Sequence, residues 1–158
     1  MHESGHFLVA YLSGLLPRGY TLSAFDALLR ARALNVQAGC SFCDGAFRAE
    51  VSSGKVQSGS IDQFTMVALA GVVSEFLRFG VAEGGLGDIR QLDALLRAVG
   101  FSQRKADDEV RWAVISVADM LRRHRGVQGR LAEAMRRGES VGACIGVLEA
   151  AFAQSDDV

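Results

Sequence analysis

Apolar and polar positions recur along the chain with periods that change, and the changes divide it into elements. Across residues 2–16, His6, Val9, Ala10, Ser13 and Leu16 return at spacings of three and four, which predicts a helix stopped by Pro17. From 20 to 56 glycines, β-branched residues and short alternations predict strands at 20–22 and 34–42, with a helical turn near 26–33 between them. A Ser/Gly-rich loop at 52–60 gives way to a helix from Ile61 to Phe79, for which Gly80 is the natural C-cap. A glycine-rich loop at 83–87 opens into a helix over 88–99, ended by Gly100. Residues 103–125 form the most regular amphipathic helix, with Val110, Ala113, Val114, Val117, Ala118 and Leu121 on one face. Two shorter helices follow at 127–137 and 140–153, the last N-capped by Ser140. The pattern is that of an α+β chain, predominantly α-helical, with a small two- or three-stranded β element.

Length and composition narrow the class. At 158 residues and 49% hydrophobic, the chain suits a single domain with a sizeable core, and a disordered or low-complexity chain is excluded. We divide it into a core at 1–100 and C-terminal helices at 101–158. A net charge of −1 gives the molecule as a whole no electrostatic case for nucleic acid. Cys40, Cys43 and Cys144 are an odd, sparse set, against a secreted disulfide scaffold. No uninterrupted apolar run reaches the ~18–20 residues of a membrane span, so a soluble intracellular domain is expected.

The chemistry stands at the beginning, in His2-Glu3-Ser4-Gly5-His6, an H-E-x-x-H on a predicted helix. At about 100° per residue, positions i and i+4 leave one helix face a turn apart. Two imidazoles so placed suit two corners of a Zn²⁺ tetrahedron. Glu3 then stands beside the metal rather than on it, where its carboxylate can take a proton from a metal-activated water. Gly5 lets another backbone approach this helix closely. A catalytic zinc needs a third protein ligand, and the remaining candidates are few. His124 lies in an Arg-Arg-His-Arg run and reads as an exposed helix-terminal cation. Glu75, Glu83, Asp88 and Asp93 are the acidic candidates; Asp88 follows Gly84, Gly85 and Gly87, and serves equally well as ligand or as N-cap.

These residues carry a family resemblance. His2-Glu3-Ser4-Gly5-His6-Phe7-Leu8-Val9 resembles the H-E-A-G-H-A-L-V signature of the FtsH-type zinc metallopeptidases. Residues 64–80, FTMVALAGVVSEFLRFG, are similar to that family's helix ending in Gly-Gly-Arg-Ala-Ala-Glu-Glu-Leu-x-Phe-Gly, and 83–92 to its glycine-rich loop and following helix. The likeness runs in order over about residues 2–100. It is nearest to the ATPase-less FtsH-like proteins of plants, algae and cyanobacteria, whose Gly-Tyr-x-Leu and Ala-Glu-Gly-Gly-x-x-Asp are matched at 19–22 and 82–88. The resemblance implies zinc held by His2, His6 and Asp88, Glu3 as general base, and Glu75 as a partner orienting a ligand histidine. It implies an FtsH-peptidase-like helical fold and a metalloendopeptidase acting on unfolded or flexible protein segments. In zinc peptidases of this general kind substrate lies along an edge strand, which makes 34–42 the candidate edge. A chloroplast or cyanobacterial setting follows from the same likeness.

The departures matter as well. Val72 replaces the family's arginine, Phe76 its second glutamate and Gly87 its asparagine, and no G-x-x-x-x-G-K-[ST] stretch is present, so folded substrates would require a partner ATPase or an FtsH-type complex. A ligand at residue 2 lies in the first turn of its helix with no N-cap ahead. An upstream segment is therefore expected, either a transit peptide or the chain's one route to a membrane. The alternative to an enzyme is a catalytically silent peptidase-like scaffold or regulatory subunit. Cys40-Ser-Phe-Cys43 has no second pair to complete a zinc site, and free thiols are expected there. Arg122, Arg123, Arg125, Arg130, Arg136 and Arg137 read as a solvated basic face balanced by Asp119, Glu133 and Glu139.

Overall fold

The computed structural model describes residues 1–21, 39–42, 49–50, 53 and 55–154. The first helix, α1 (His2–Leu12), is buried continuously from Ser4 to Ala10. A segment covered on all sides cannot be amphipathic, and this one is not: Phe7-Leu8-Val9-Ala10 is apolar around the whole helix circumference. The helix ends at Leu12, four residues before its expected end. Gly14 takes a left-handed φ of 80° and Leu15 N–H donates back to the Ala10 carbonyl at 2.9 Å, so the chain turns before Pro17 is reached. Leu16, placed on the helix face by its spacing, is 59% exposed.

Pro17 instead opens β1 (Pro17–Thr21), which pairs antiparallel with β2 (Gly39–Phe42) in a two-stranded sheet. Tyr20 lies opposite Cys40, and the register is irregular between Pro17 and Gly19, where proline has no N–H to give the ladder. The expected strand at 34–42 is thus seen as Gly39–Phe42; its earlier part and the helical turn at 26–33 lie outside the described residues. The Tyr20 hydroxyl donates to the Glu139 carbonyl at 2.5 Å and fastens the sheet to the C-terminal helices.

The long central helix α2 (Ser58–Phe79) starts three residues before the expected Ile61 and ends as expected, with Gly80 at φ 77° donating its N–H to the Phe76 carbonyl. It packs against α1, α3 (Leu86–Ala98) and α4 (Gln103–Arg123). By length and composition alone α2 is long and apolar enough to cross a membrane; here it is the core helix, with Ile61, Met66, Val67, Leu69, Ala70 and Val73 buried. α4 is N-capped by Ser102, whose Oγ accepts from Lys105 N–H, and buries Ala113, Val117 and Leu121 at i, i+4 and i+8. Its expected apolar stripe is narrower than the pattern suggested, since Val114 is 37% exposed. α5 (Arg125–Arg136) and α6 (Val141–Ala153) pack on one another and return to α1 and β1, α6 capped by Ser140 as its sequence predicts. Helices thus predominate over a small sheet, as the pattern requires.

Gly5 lies where α1 crosses α2. A Cβ there would stand 2.7 Å from the Ala70 carbonyl oxygen and 2.8 Å from Ser74 Cβ, so glycine is what lets α1 and α2 meet at this depth.

Candidate metal centre

That crossing sets the site. His2 and His6 leave α1 one turn apart, and their ring centroids are 4.7 Å from each other. Both reach over α2 at Gly71, where a Cβ would stand 2.5 Å from His6 Nε2 and closer still to His2 Nε2. Asp88 arrives from the first turn of α3 and brings its Oδ2 to 3.1 Å from His2 Nε2 and 3.4 Å from His6 Nε2. It is not the N-cap of that helix. Gly85 holds the cap position at φ 84°, and the glycine loop swings α3 so that Asp88 faces the imidazoles.

The outer ring nitrogens are held separately. His6 Nδ1 donates to the Val67 carbonyl at 2.6 Å, since a carbonyl can only accept. His2 Nδ1 lies 3.1 Å from Glu75 Oε1. Glu75 is itself fixed by the loop, its Oε2 accepting from the N–H groups of Glu83 at 3.1 Å and Gly84 at 3.0 Å. The other ring nitrogens, His2 Nε2 and His6 Nε2, are the ones turned toward Asp88 Oδ2. Two ring nitrogens and one carboxylate oxygen thus converge on one point.

The titration of the group reflects the same crowding. The His2 imidazole is pushed above its usual value chiefly by its hydrogen bond to Asp88, helped by the charges of Glu3 and Glu75 and opposed by burial. Burial pushes the Asp88 carboxyl up, but hydrogen bonds from His2 and His6 and their charges outweigh it and hold it far below the usual carboxylate range. Glu75 is likewise lowered, its burial overcome by the Gly84 N–H, the neighbouring His2 and the Glu83 N–H.

The structure therefore brings together His2, His6, Asp88 and Glu75. His2, His6 and Asp88 can each offer one ligand atom, all within 4.8 Å of one another. Glu3, one residue on from His2, lines a cleft of about 1150 Å³ that runs between α1, α5 and the C-terminal ends of α2 and α4. The other candidates go elsewhere. Asp93 pairs with Arg97 at 2.9 Å, and Glu83 meets Glu75 through its backbone. His124 is half-buried rather than exposed, its ring edge-on to Phe152 at 5.3 Å.

Several supporting groups escaped the sequence reading. The Val67 carbonyl has no side-chain signature. Gly71 had one, a glycine inside a helix interior where alanine would be better tolerated. A third group anchors the start of α1. The Met1 carbonyl accepts from Gly5 N–H at 3.0 Å, Ser4 Oγ at 2.8 Å and Ser74 Oγ at 3.0 Å, and buried Gln128 donates to Ser74 Oγ at 2.5 Å. The first turn that carries His2 and Glu3 is thereby tied to α2 and α5, although no side chain caps it.

Comparison with known protein families, with curated proteins and with solved structures gives no match to this chain.

Proposed function

We propose that the chain is a zinc-dependent metalloendopeptidase of the FtsH-like type, hydrolysing unfolded or flexible protein segments. The observation that carries this reading is the convergence of two imidazole Nε2 atoms and one carboxylate oxygen over Gly71, with both Nδ1 atoms already engaged. The donor set fits Zn²⁺, which favours imidazole nitrogen and carboxylate oxygen and leaves a fourth position for water when three protein ligands bind it. His2, His6 and Asp88 would hold the ion; Glu75 and the Val67 carbonyl orient the two rings. When bound, the ion supplies Lewis acidity and a water whose pKa lies near ~7. Glu3 takes the proton at its carboxylate and passes it to the departing amine. The Gly5 crossing and the Met1 anchor keep Glu3 and the imidazoles on a rigid helix start, as a positioned general base requires.

The test is Glu3→Gln. It keeps the shape of the side chain and removes its basicity, so the variant should bind zinc as the parent does while casein cleavage falls by at least about 100-fold. A Gln variant that cleaves casein as fast as the parent removes Glu3 from the reaction. Zinc bound at one per chain with no cleavage by the parent leaves a silent scaffold as the better description.

A further inference from the structure

The cleft that begins at Glu3 carries more positive charge than the peptidase reading uses. Arg78 from the end of α2, Arg122 from the end of α4, and Arg125 and Arg136 from α5 all line it. Arg136 is committed to Glu133 through two hydrogen bonds of 3.0 and 2.7 Å. Arg78, Arg122 and Arg125 have no ion-pair partner among the described residues. The basic residues that the sequence read as one solvated face thus divide. Arg123, Arg136 and Arg137 are balanced by Asp119, Glu133 and Glu139, whereas Arg122 and Arg125 stay unbalanced and face the cleft.

A second observation concerns the α5 wall. Gly126, Gly129 and Ala132 line the cleft at i, i+3 and i+6, which makes one smooth strip along the helix. Glycine inside a helix weakens it, and packing does not demand glycine at 126 or 129, because a Cβ at either would meet nothing within 4 Å. Neither has a left-handed φ. What the missing side chains provide is room for a backbone to lie close to the helix.

From the smooth strip, its unpaired arginines and its end at Glu3 and His2, we propose that this cleft docks an extended, acidic segment of the polypeptide substrate. Carboxylates flanking the scissile bond would meet Arg122 and Arg125 while the chain lies along Gly126 and Gly129. The arginines approach from three different helices around a concavity, which suits a strand-like chain better than a flat anionic membrane. The proposal rests on the peptidase reading for the end at Glu3, so docking and cleavage are to be measured separately.

Docking is read in the Glu3→Gln chain with zinc, by fluorescence anisotropy of a labelled flexible glutamate-rich peptide and its glutamine counterpart. The acidic peptide should bind about tenfold more tightly, with the margin shrinking as salt is raised. Adding Arg122→Gln and Arg125→Gln should bring the two peptides to parity without changing the circular dichroism spectrum. Gly126→Ala with Gly129→Ala should raise the melting temperature, by helix propensity, yet weaken both peptides several-fold. Equal binding of the two peptides, or a preference that survives loss of the two arginines, overturns the proposal. So does tighter binding to phosphatidylglycerol vesicles that depends on the same arginines, which would make the cleft rim a membrane contact. Parent chain that cleaves the glutamine peptide as well as the acidic one leaves the peptidase reading standing and sinks this one; docking without any cleavage does the reverse.

Discussion

Replacing Gly71 by alanine adds one methyl group where the two ligand imidazoles converge. The new Cβ would stand 2.5 Å from His6 Nε2, against an ordinary contact of at least 3.4 Å, so ring or helix must yield by about 0.9 Å. Metal–ligand distances tolerate only about ±0.2 Å, so the displacement exceeds the tolerance more than fourfold. His6 cannot swing clear, because it is 5% exposed and its Nδ1 is bonded to the Val67 carbonyl. Without metal the variant should still fold, at some loss of stability, since alanine in place of a helix-interior glycine favours the helix by roughly 1 kcal/mol and offsets only part of the crowding. The difference appears on adding zinc. A parent saturated at a hundred times its dissociation constant gains about 2.7 kcal/mol, or roughly 5–11 °C in melting temperature for a chain of this size. Thermal denaturation of both chains, with and without excess zinc, should show that rise in the parent and none in Gly71→Ala. An equal rise in both would mean that the ion binds somewhere other than over Gly71.

Three other perturbations test further contacts. Glu75→Gln removes the charge behind His2 while keeping its shape, and competition with a chromophoric chelator should show zinc affinity falling about 10–100-fold rather than vanishing. Gln128→Ala leaves the Ser4 and Ser74 hydroxyls without their buried donor, and urea denaturation should show a loss of roughly 1–3 kcal/mol together with weaker zinc binding, because the start of α1 loosens. Glu109 is raised by burial and by the charge of Asp62, so the folded state holds its proton more tightly than the unfolded chain does. Stability should therefore fall as pH climbs from the ordinary value of 4.5 through the raised folded one, and Glu109→Gln should flatten that part of the urea midpoint–pH curve.

The helices were legible because their signals are local. Gly80 and Ser140 cap where they stand, and the i, i+4 repeat of Ala113, Val117 and Leu121 is a property of neighbouring residues. The H-E-x-x-H spacing was legible for the same reason, one helix turn being enough to place two imidazoles together. The end of α1 was misplaced because Pro17 is the louder signal and Gly14 the effective one, its φ of 80° turning the chain first. Asp88 was left between ligand and cap because that choice depends on where α3 points, which the loop from 80 to 85 sets through a contact between Glu75 and two backbone N–H groups. The Val67 carbonyl and the Met1 anchor depend on which backbone faces which side chain across α1 and α2. No spacing within one segment reports on that.

The central claim, a zinc ion held by His2, His6 and Asp88, is tested most directly by X-ray absorption at the zinc edge of the purified, zinc-loaded chain. The account predicts one zinc per chain in a four-coordinate shell of nitrogen and oxygen at about 2.0–2.1 Å, with outer-shell scattering from two imidazoles. A sulfur shell near ~2.3 Å would assign the ion to the cysteines, and that result, or a chain that retains no zinc, would contradict it.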